Sequence, residues 1–431
     1  MKAVVLRVAG SSFTLWVAFV LAHLWLGLLN LYGPAYPMGD VTSVYKFWVD
    51  QLVINDFQVG IDSQWVYPIL AFVPMVAALA FGSTLYGSTW LSMVMLLNVA
   101  AFGTLTGWGR RRNHNAIGWW WVAFLFLLGP IALGRIDSIT VPLALIGMLL
   151  LATRPRAAAV ILVAATWIKV WPAALLAAIV ISVQQRYRIT AVAVATSLLI
   201  ISVALLMGSG SNVLSFITQQ AGRGLQIEAP VSVIWLWLAR SSVPNTYVYF
   251  DQAILTFQVE GPGVAIAAAL MTPLLALAVL AVCGLGLAAV RRGVSSLQLL
   301  PPLALALVTA FMVFNKVGSP QFEGWLVVPV VFGLVSALHG GRSFRTPAAL
   351  VLVLAALTQA IYPYLYNYVL SLNYLMLIVL TSRNLLLIVL FAWSVTVVVR
   401  LYRAALADER PDTAVSTEPI TAQSMQQNQV L

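Results

Sequence analysis

The stretch AAAVILVAATWIKVWPAALLAAIVISVQQ, residues 157–185, decides the fold of this chain. It is almost wholly apolar and lies between two basic clusters, RPR at 154–156 and RYR at 186–188. Basic clusters beside membrane helices stay on the cytoplasmic side, so the stretch must leave that side and return to it. Two short helices that meet near WIKVWP, residues 167–172, satisfy this requirement.

The composition of the whole chain agrees with a membrane fold. Of the 431 residues 61% are hydrophobic and only 8% are charged, which excludes an ordinary soluble protein. Several apolar stretches approach the roughly 20 residues that an α-helix needs to cross a bilayer. The sequence therefore predicts an all-α, polytopic membrane protein. The net charge of +10 comes with arginines at helix ends, so we expect no nucleic-acid partner.

The same rule applied to every basic cluster predicts a bundle of about twelve transmembrane helices with both termini in the cytoplasm. These helices are expected at about 12–32, 88–108, 117–133, 139–153, two within 157–185, 189–207, 264–290, 295–314, 323–339, 346–362 and from 384 onward.

The remaining segments should not cross the membrane. We expect 67–82 and 366–382 to lie within or on the membrane without spanning it, and 229–242 to form a helix on the outer leaflet. One domain, 1–403, then contains a first outer loop at 33–87 and a large outer loop at 208–263, followed by a disordered cytoplasmic tail at 404–431.

The charged residues concentrate on one side of this predicted topology. Nine carboxylates fall on the outer side: Asp40, Asp50, Asp56, Asp62, Asp137, Glu228, Asp251, Glu260 and Glu323. Cations that disobey the positive-inside rule accompany them, at Lys46, Arg135, Lys169, Arg223, Arg240, Lys316 and Arg383. Because charges near hydrocarbon are costly, such residues indicate function. Acids and cations together fit a phosphate-bearing, lipid-linked substrate.

An ordered series of motifs carries a family resemblance. The series is GDVTSVYKFWV at 39–49, QWVYPILAFVP at 64–74, GRIDS at 134–138, NKVGSPQF at 315–322 and RNLLLIVLFAW at 383–393. In this order they resemble the GT-C glycosyltransferases that use polyprenol-phosphate sugars, of the mycobacterial and actinobacterial α-mannosyltransferase type (family 87-like). Two motifs depart from the usual pattern: the double proline after the tyrosine is YPI here, and the Lys-Pro pair is spread into KVWP.

The resemblance implies an activity and its partners. It implies inverting transfer of mannose from polyprenyl-phosphate-mannose to a glycolipid acceptor, of the phosphatidylinositol mannoside or lipoarabinomannan type, with an α-1,2 linkage. The site would lie at the outer face of a bacterial plasma membrane, among membrane lipids. No cofactor is required, and the first outer loop lacks an Asp-X-Asp pair, so no metal ligand is predicted; metal dependence stays open.

The resemblance also assigns roles to residues. Asp40 would be the catalytic base, because it follows the first helix as the family's catalytic aspartate does. Donor phosphate candidates are Lys169, Lys316, Arg135 and Arg383, and supporting or substrate-binding candidates are Asp137, Asp50, Lys46, Tyr67 and Gln321.

Several alternatives stay open from the sequence. Asp40 is also suited to capping a helix at DVTS, as a less favoured alternative. Lys316 in the same way also fits an exposed position at a helix start. Asp137 either pairs with Arg135 or supports the donor site. A pentose donor such as decaprenyl-phosphoryl-arabinose fits the same architecture. A lipid-linked sugar transporter is a further alternative, but it requires charges in mid-helix, and the predicted helices have almost none below their outer third.

Overall fold

The computed structural model describes residues 10–219, 223–252 and 254–408. Apolar α-helices dominate it, which confirms an all-α, polytopic membrane protein. Helices of ten or more residues are Ser12–Tyr32, Lys46–Asn55, Tyr86–Thr106, Asn115–Leu128, Asp137–Leu150, Pro155–Ile168, Ala173–Ser182, Arg186–Leu206, Val264–Arg291, Ser296–Val313, Val327–Leu338, Arg345–Gln359 and Tyr374–Asp408. Shorter α-helices are Phe72–Ala77, Ser215–Thr218, Val233–Arg240 and Tyr366–Leu370.

Fewer helices than predicted are long enough to span a bilayer alone. In the described parts of the chain nine helical segments have the length and apolar character of a membrane span. Three of the predicted spans are shorter, at 14, 14 and 10 residues: Asp137–Leu150, Pro155–Ile168 and Ala173–Ser182. The last two form the predicted hairpin within 157–185, and their junction holds Lys169. Pro172 lies at the start of the second helix, where its missing N–H costs no hydrogen bond.

The prediction for the last helix was wrong. A separate element at 366–382 was expected before a helix from 384, but one helix runs from Tyr374 to Asp408. The chain turns earlier, at Leu372, which has a positive φ of 56°. Asn373 then accepts hydrogen bonds from the backbone N–H groups of Leu375 and Met376, which starts the helix. The helix also includes residues 404–408, so the predicted tail cannot begin before 409; residues 409–431 lie outside the described part.

Two segments that were not expected to cross the membrane form short helices. Residues 67–82 contain only the helices Ile69–Ala71 and Phe72–Ala77, and 229–242 contains Val233–Arg240. The sequence analysis missed an antiparallel hairpin, Tyr247–Asp251 with Thr256–Glu260, in the large loop. Its register pairs Tyr247 with Glu260 and Asp251 with Thr256.

The main hydrophobic core lies between the helices of the bundle. The helix Ser296–Val313 is its centre, because 13 of its 18 residues are buried. The helices Arg186–Leu206 and Val264–Arg291 are instead mostly exposed, which fits a surface facing lipid. A second core joins the hairpin loop to the start of the last helix through Trp235, Val259 and Leu377.

Candidate active site

The loops at one end of the bundle converge around Asp40. The first long helix ends near Asn30, whose amide donates a 2.9 Å hydrogen bond to the carbonyl oxygen of Pro130 in the loop before Arg135. Gly134 allows this approach, since a Cβ atom there would lie 2.6 Å from the Asn30 Oδ1 and 3.2 Å from the Pro37 oxygen. Two loops about a hundred residues apart in sequence are thereby held in contact.

Asp40 forms an ion pair with Arg135. The Asp40 Oδ2 lies 3.1 Å from the Arg135 Nε; 43% of the Asp40 side chain is exposed, against 7% of Arg135. Gly39, not Asp40, precedes the short π-helix Asp40–Tyr45, and no side chain caps that helix. The structure therefore engages the Asp40 carboxylate in a pair with a cation and not in a helix cap.

Arg135 is held on several sides. Its guanidinium donates hydrogen bonds to the carbonyl oxygens of Pro37 and Gly134, and one of 2.7 Å to the hydroxyl of Tyr362. Burial opposes its charge, but Asp40 and Tyr362 outweigh burial and leave the pKa of Arg135 above its ordinary value. A permanently charged group thus fixes the position of Asp40.

Asp137 pairs with Lys169, not with Arg135. The Lys169 Nζ lies 3.7 Å from the Asp137 Oδ2, and the Trp325 indole N–H donates a 2.7 Å hydrogen bond to the Asp137 Oδ1. Of the two interpretations of Asp137, the structure does not show the pair with Arg135, because Arg135 is paired with Asp40. The short helix junction at WIKVWP is what brings Lys169 to this position.

Tyr67 completes the surroundings of Lys169. The Lys169 ammonium lies 4.7 Å from the centre of the Tyr67 ring, a cation–π distance. Burial lowers the pKa of Lys169, but Asp137 and then Tyr67 raise it by more, so the pKa ends above its ordinary value. Lys169, Tyr67 and Asp137 thus lie in one neighbourhood, as expected, together with Asp40, whose charge also acts on Lys169.

Arg383 belongs to a separate, fully buried pair. Its guanidinium lies 2.8 Å from the Glu228 Oε2, and each side chain of the pair is only 4% exposed. It also donates to the Glu228 carbonyl oxygen and to the Asn384 Oδ1. Burial raises the pKa of Glu228, and Arg383 opposes this rise. As Arg383 is neutralised inside the protein, the structure favours a structural role for it over phosphate binding.

Lys316 lies in the loop before the 3₁₀ helix Pro320–Leu326, which contains Gln321, and its charge is influenced by a further cation. Burial and then the charge of Arg223 lower the pKa of Lys316. The Gln321 Oε1 accepts a 2.6 Å hydrogen bond from the Ser319 hydroxyl. The charge of Arg223 acts on both Lys316 and Lys169, and Tyr67 acts on Arg223 in turn. Two cations held close together favour an anion between them.

Lys46 and Asp50 pair with each other. Their 2.5 Å ion pair joins successive turns of the helix after Asp40, and the side chains are 25% and 32% exposed. Such a pair contributes little to stability, and neither residue has an observed contact with Arg135 or Lys169. Their supporting role stays a prediction.

The sequence analysis named Arg223 only among the outer cations, and it missed three further members of this neighbourhood: Tyr362, Trp325 and Tyr45. The Tyr45 hydroxyl accepts a hydrogen bond from the backbone N–H of Ile136. Only Arg223 carried a signal, as a cation in a predicted outer loop. The three aromatic residues resemble ordinary core residues in the sequence, and only the fold reveals their contacts.

Metal ligands do not cluster in the described residues: no group of three or more His, Cys, Asp or Glu side chains is arranged to hold an ion.

Comparison with known families identifies one match. Residues 65–242, less than half of the chain, match the model of Glycosyltransferase family 87. The matched range contains Tyr67, Arg135, Asp137, Lys169 and Arg223, whereas Asp40, Lys316 and Arg383 lie outside it. The match supports a glycosyltransferase, a class of enzyme that uses a sugar donor and an acceptor. Comparisons with curated proteins and with solved structures gave no match.

Proposed function

We propose that this chain is an inverting α-mannosyltransferase of the plasma membrane. It would transfer mannose from polyprenyl-phosphate-mannose to a lipid-linked mannoside of the phosphatidylinositol mannoside or lipoarabinomannan type, forming an α-1,2 linkage. The family match supports a glycosyltransferase, and the resemblance of the ordered motifs supports this donor and these acceptors. The basic loops at the other end of the bundle favour an outer location for the site.

The observation that carries the proposal is the asymmetry of the Asp40–Arg135 pair. The guanidinium is buried and held by three further groups, whereas 43% of the carboxylate side chain faces outward. A general base must be fixed in position and still accessible to a substrate proton. Asp40 meets both conditions.

The proposed reaction is a single displacement. The acceptor hydroxyl oxygen forms a bond to the anomeric carbon from the face opposite the leaving group, while the bond from that carbon to the phosphate oxygen breaks. Asp40 takes the hydroxyl proton, and polyprenyl phosphate leaves with the bonding electron pair. The sugar develops positive charge in the transition state, which the nearby carboxylates stabilise.

The departing phosphate needs cations close to the site. Arg383 is the poorest of the four predicted candidates, because Glu228 neutralises it. Lys316, beside Arg223, and Lys169, at 3.7 Å from Asp137, are better placed. We assign the phosphate to the region between Lys316 and Lys169, where Arg223 adds a third positive charge.

Mannose transfer by the purified protein tests the proposal. Polyprenyl-phosphate-mannose and a phosphatidylinositol mannoside acceptor are incubated with wild type and with Asp40→Asn in detergent. Loss of a general base lowers the rate by about 10²- to 10⁴-fold, so transfer by Asp40→Asn should fall by this factor. The Arg135 hydrogen bonds to Pro37 and Tyr362 should keep the variant folded.

Asp56→Asn is the matched control. Asp56 lies in the same loop and has a positive φ of 49°, a conformation that asparagine tolerates well. It should retain wild-type transfer. Equal activity of Asp40→Asn and Asp56→Asn would refute the role of Asp40. Activity only with a polyprenyl-phosphate-arabinose donor would show that the donor sugar is a pentose and not mannose. Inactivity with both donors would refute the proposed function.

A further inference from the structure

A basic cleft lies at the end of the bundle opposite to Asp40. Its volume is about 380 Å³. Residues that line it include Arg154, Pro155, Arg156, Gln185, Arg188 and Ile189. None of the proposed catalytic or donor-binding residues contributes to this cleft.

The course of the chain fixes the location of the cleft. The helix Pro155–Ile168 ends next to Lys169 at the candidate active site, so Pro155 lies at its far end, about 21 Å away. The helix Ala173–Ser182 begins at the same site and returns, which places Gln185 and the start of Arg186–Leu206 beside Pro155. The cleft therefore lies at the basic end of the bundle, which the positive-inside rule assigns to the cytoplasmic membrane boundary, where lipid headgroups are found.

The electrostatics of the cleft favour an anion. Among the described residues, three guanidinium groups line it and no carboxylate does. Two helices also begin here, and neither has a side-chain cap. The first turns of both helices leave backbone N–H groups without intrahelical partners, and their dipoles place partial positive charge at the same point. Positive charges gathered in this way attract an anion.

The surface next to the cleft is suited to acyl chains. Only 11% of the most apolar part of the helix Arg186–Leu206 is buried in the protein. Its exposed side chains nearest the cleft include Val194 and Leu198, which are 52% and 57% exposed. A ligand with a phosphate in the cleft and hydrocarbon along this helix would satisfy both surfaces. A free phosphate would use only the first.

We propose that this cleft binds the phosphate group of an anionic phospholipid from the adjacent leaflet. The arginines and the two helix starts hold the headgroup, and the helix Arg186–Leu206 contacts the acyl chains. Basic pockets between membrane helices recognise headgroups in this way. The inference does not depend on the proposed transferase activity.

Lipid binding to the full-length purified protein tests the inference. Native mass spectrometry in detergent compares titrations with phosphatidylglycerol, phosphatidylcholine and inorganic phosphate. Wild type should retain phosphatidylglycerol preferentially over phosphatidylcholine. The triple variant Arg154→Gln/Arg156→Gln/Arg188→Gln should lose at least about tenfold in affinity for phosphatidylglycerol, since each cation near a membrane surface contributes several-fold.

The cluster at 110–112 offers a matched control. Arg110→Gln/Arg111→Gln/Arg112→Gln removes the same charge from the same end of the bundle, and these arginines do not line the cleft. This control should change the affinity by less than about twofold. If the triple cleft variant does not fold, Arg156→Gln alone should still lower the affinity by about threefold.

Three outcomes would overturn the inference. Equal losses in the cleft and control variants would mean that the affinity comes from charge in general. Equal retention of phosphatidylglycerol and phosphatidylcholine would mean that the headgroup charge is not recognised. Displacement of phosphatidylglycerol by millimolar inorganic phosphate, with saturable phosphate binding in its absence, would identify a free-anion site.

Discussion

The Arg135–Asp40 pair and the Arg383–Glu228 pair differ in the exposure of the carboxylate. In the Arg135–Asp40 pair the arginine is buried, but 43% of the aspartate side chain is exposed. In the Arg383–Glu228 pair both side chains are 4% exposed. The comparison separates a carboxylate that a substrate can reach from one that the protein encloses.

The difference shows why charge in a membrane protein is an incomplete guide to a reactive group. Both arginines are cations outside the predicted cytoplasmic loops, and both are equal candidates for phosphate ligands when only the sequence is considered. Removal of one partner from a fully buried pair leaves an uncompensated charge in a medium of low dielectric constant. Removal of an exposed carboxylate leaves a charge that water can reach. Substitutions in the Arg135–Asp40 pair should therefore lower mainly the activity, and substitutions in the Arg383–Glu228 pair mainly the stability.

The largest effect on stability is expected for Glu228→Ala. It leaves Arg383 buried without its carboxylate and should lower the free energy of unfolding by about 3–5 kcal/mol. Thermal unfolding in a fixed detergent measures the change. Glu228→Gln, which keeps a carbonyl acceptor for Arg383, should lose less. For Asp40→Asn the free energy of unfolding should fall by less than about 1 kcal/mol, because its pair is partly solvated. Equal decreases in Glu228→Ala and Asp40→Asn would contradict the difference between the two pairs.

Arg135→Lys is expected to have the next largest effect. A lysine keeps the charge but lacks the planar fork that contacts Asp40, Pro37 and Tyr362 at once. Loss of a charge-assisted hydrogen bond of about 1.5–3 kcal/mol corresponds to a decrease in kcat of about 10- to 100-fold. Tyr362→Phe, which removes one of these contacts, should reduce kcat only several-fold. An Arg135→Lys enzyme with unchanged kcat would show that Arg135 does not position the base.

The smallest effect concerns the pH dependence of donor binding. Lysine binds phosphate only when protonated, so a lowered pKa of Lys316 means that its charge is lost at a lower pH than in free lysine. Donor affinity should therefore weaken early as the pH rises. In Lys316→Arg the group stays charged, and the rise of KM for the donor should move to higher pH.

Lys46→Arg provides the control for this measurement. Lys46 is paired with Asp50 and has no observed contact with the proposed phosphate region, so its substitution should leave the pH profile unchanged. A profile that is identical in wild type and Lys316→Arg would remove Lys316 from the donor site.

The fold class was predictable because hydrophobicity alone determines it. Long apolar stretches between basic clusters indicated the helices, and the short hairpin at 157–185 followed from the limited number of residues. The start of the last helix was not predictable by the same rule. The turn at Leu372 and the cap at Asn373 are local features. They cannot be recognised within an apolar stretch from the positions of charges and the alternating direction of successive membrane helices.

The neighbourhood of the candidate site was predictable, but its pairs were not. Asp40, Lys169, Asp137 and Tyr67 were expected at one face and lie together in the structure. The partner of Arg383 is 155 positions away in the sequence, and the choice of Asp40 over Asp137 as the partner of Arg135 depends on how two loops pack. Such contacts come from the tertiary fold, which a single sequence does not display. The catalytic and binding roles stay predictions.

The long interval between Glu228 and Arg383 has a consequence for biosynthesis. A ribosome produces the glutamate first, so the growing protein holds this carboxylate without its arginine until the last helix emerges. An arginine in a membrane helix costs at most roughly 2.5–3.5 kcal/mol on insertion, the value for the helix centre. Arg383 is the tenth of 35 residues in its helix, and a carboxylate already present offsets part of its smaller cost. A nascent chain that stops before Tyr374 never acquires the arginine. Formation of the Glu228–Arg383 pair therefore requires that the helix Tyr374–Asp408 has been synthesised.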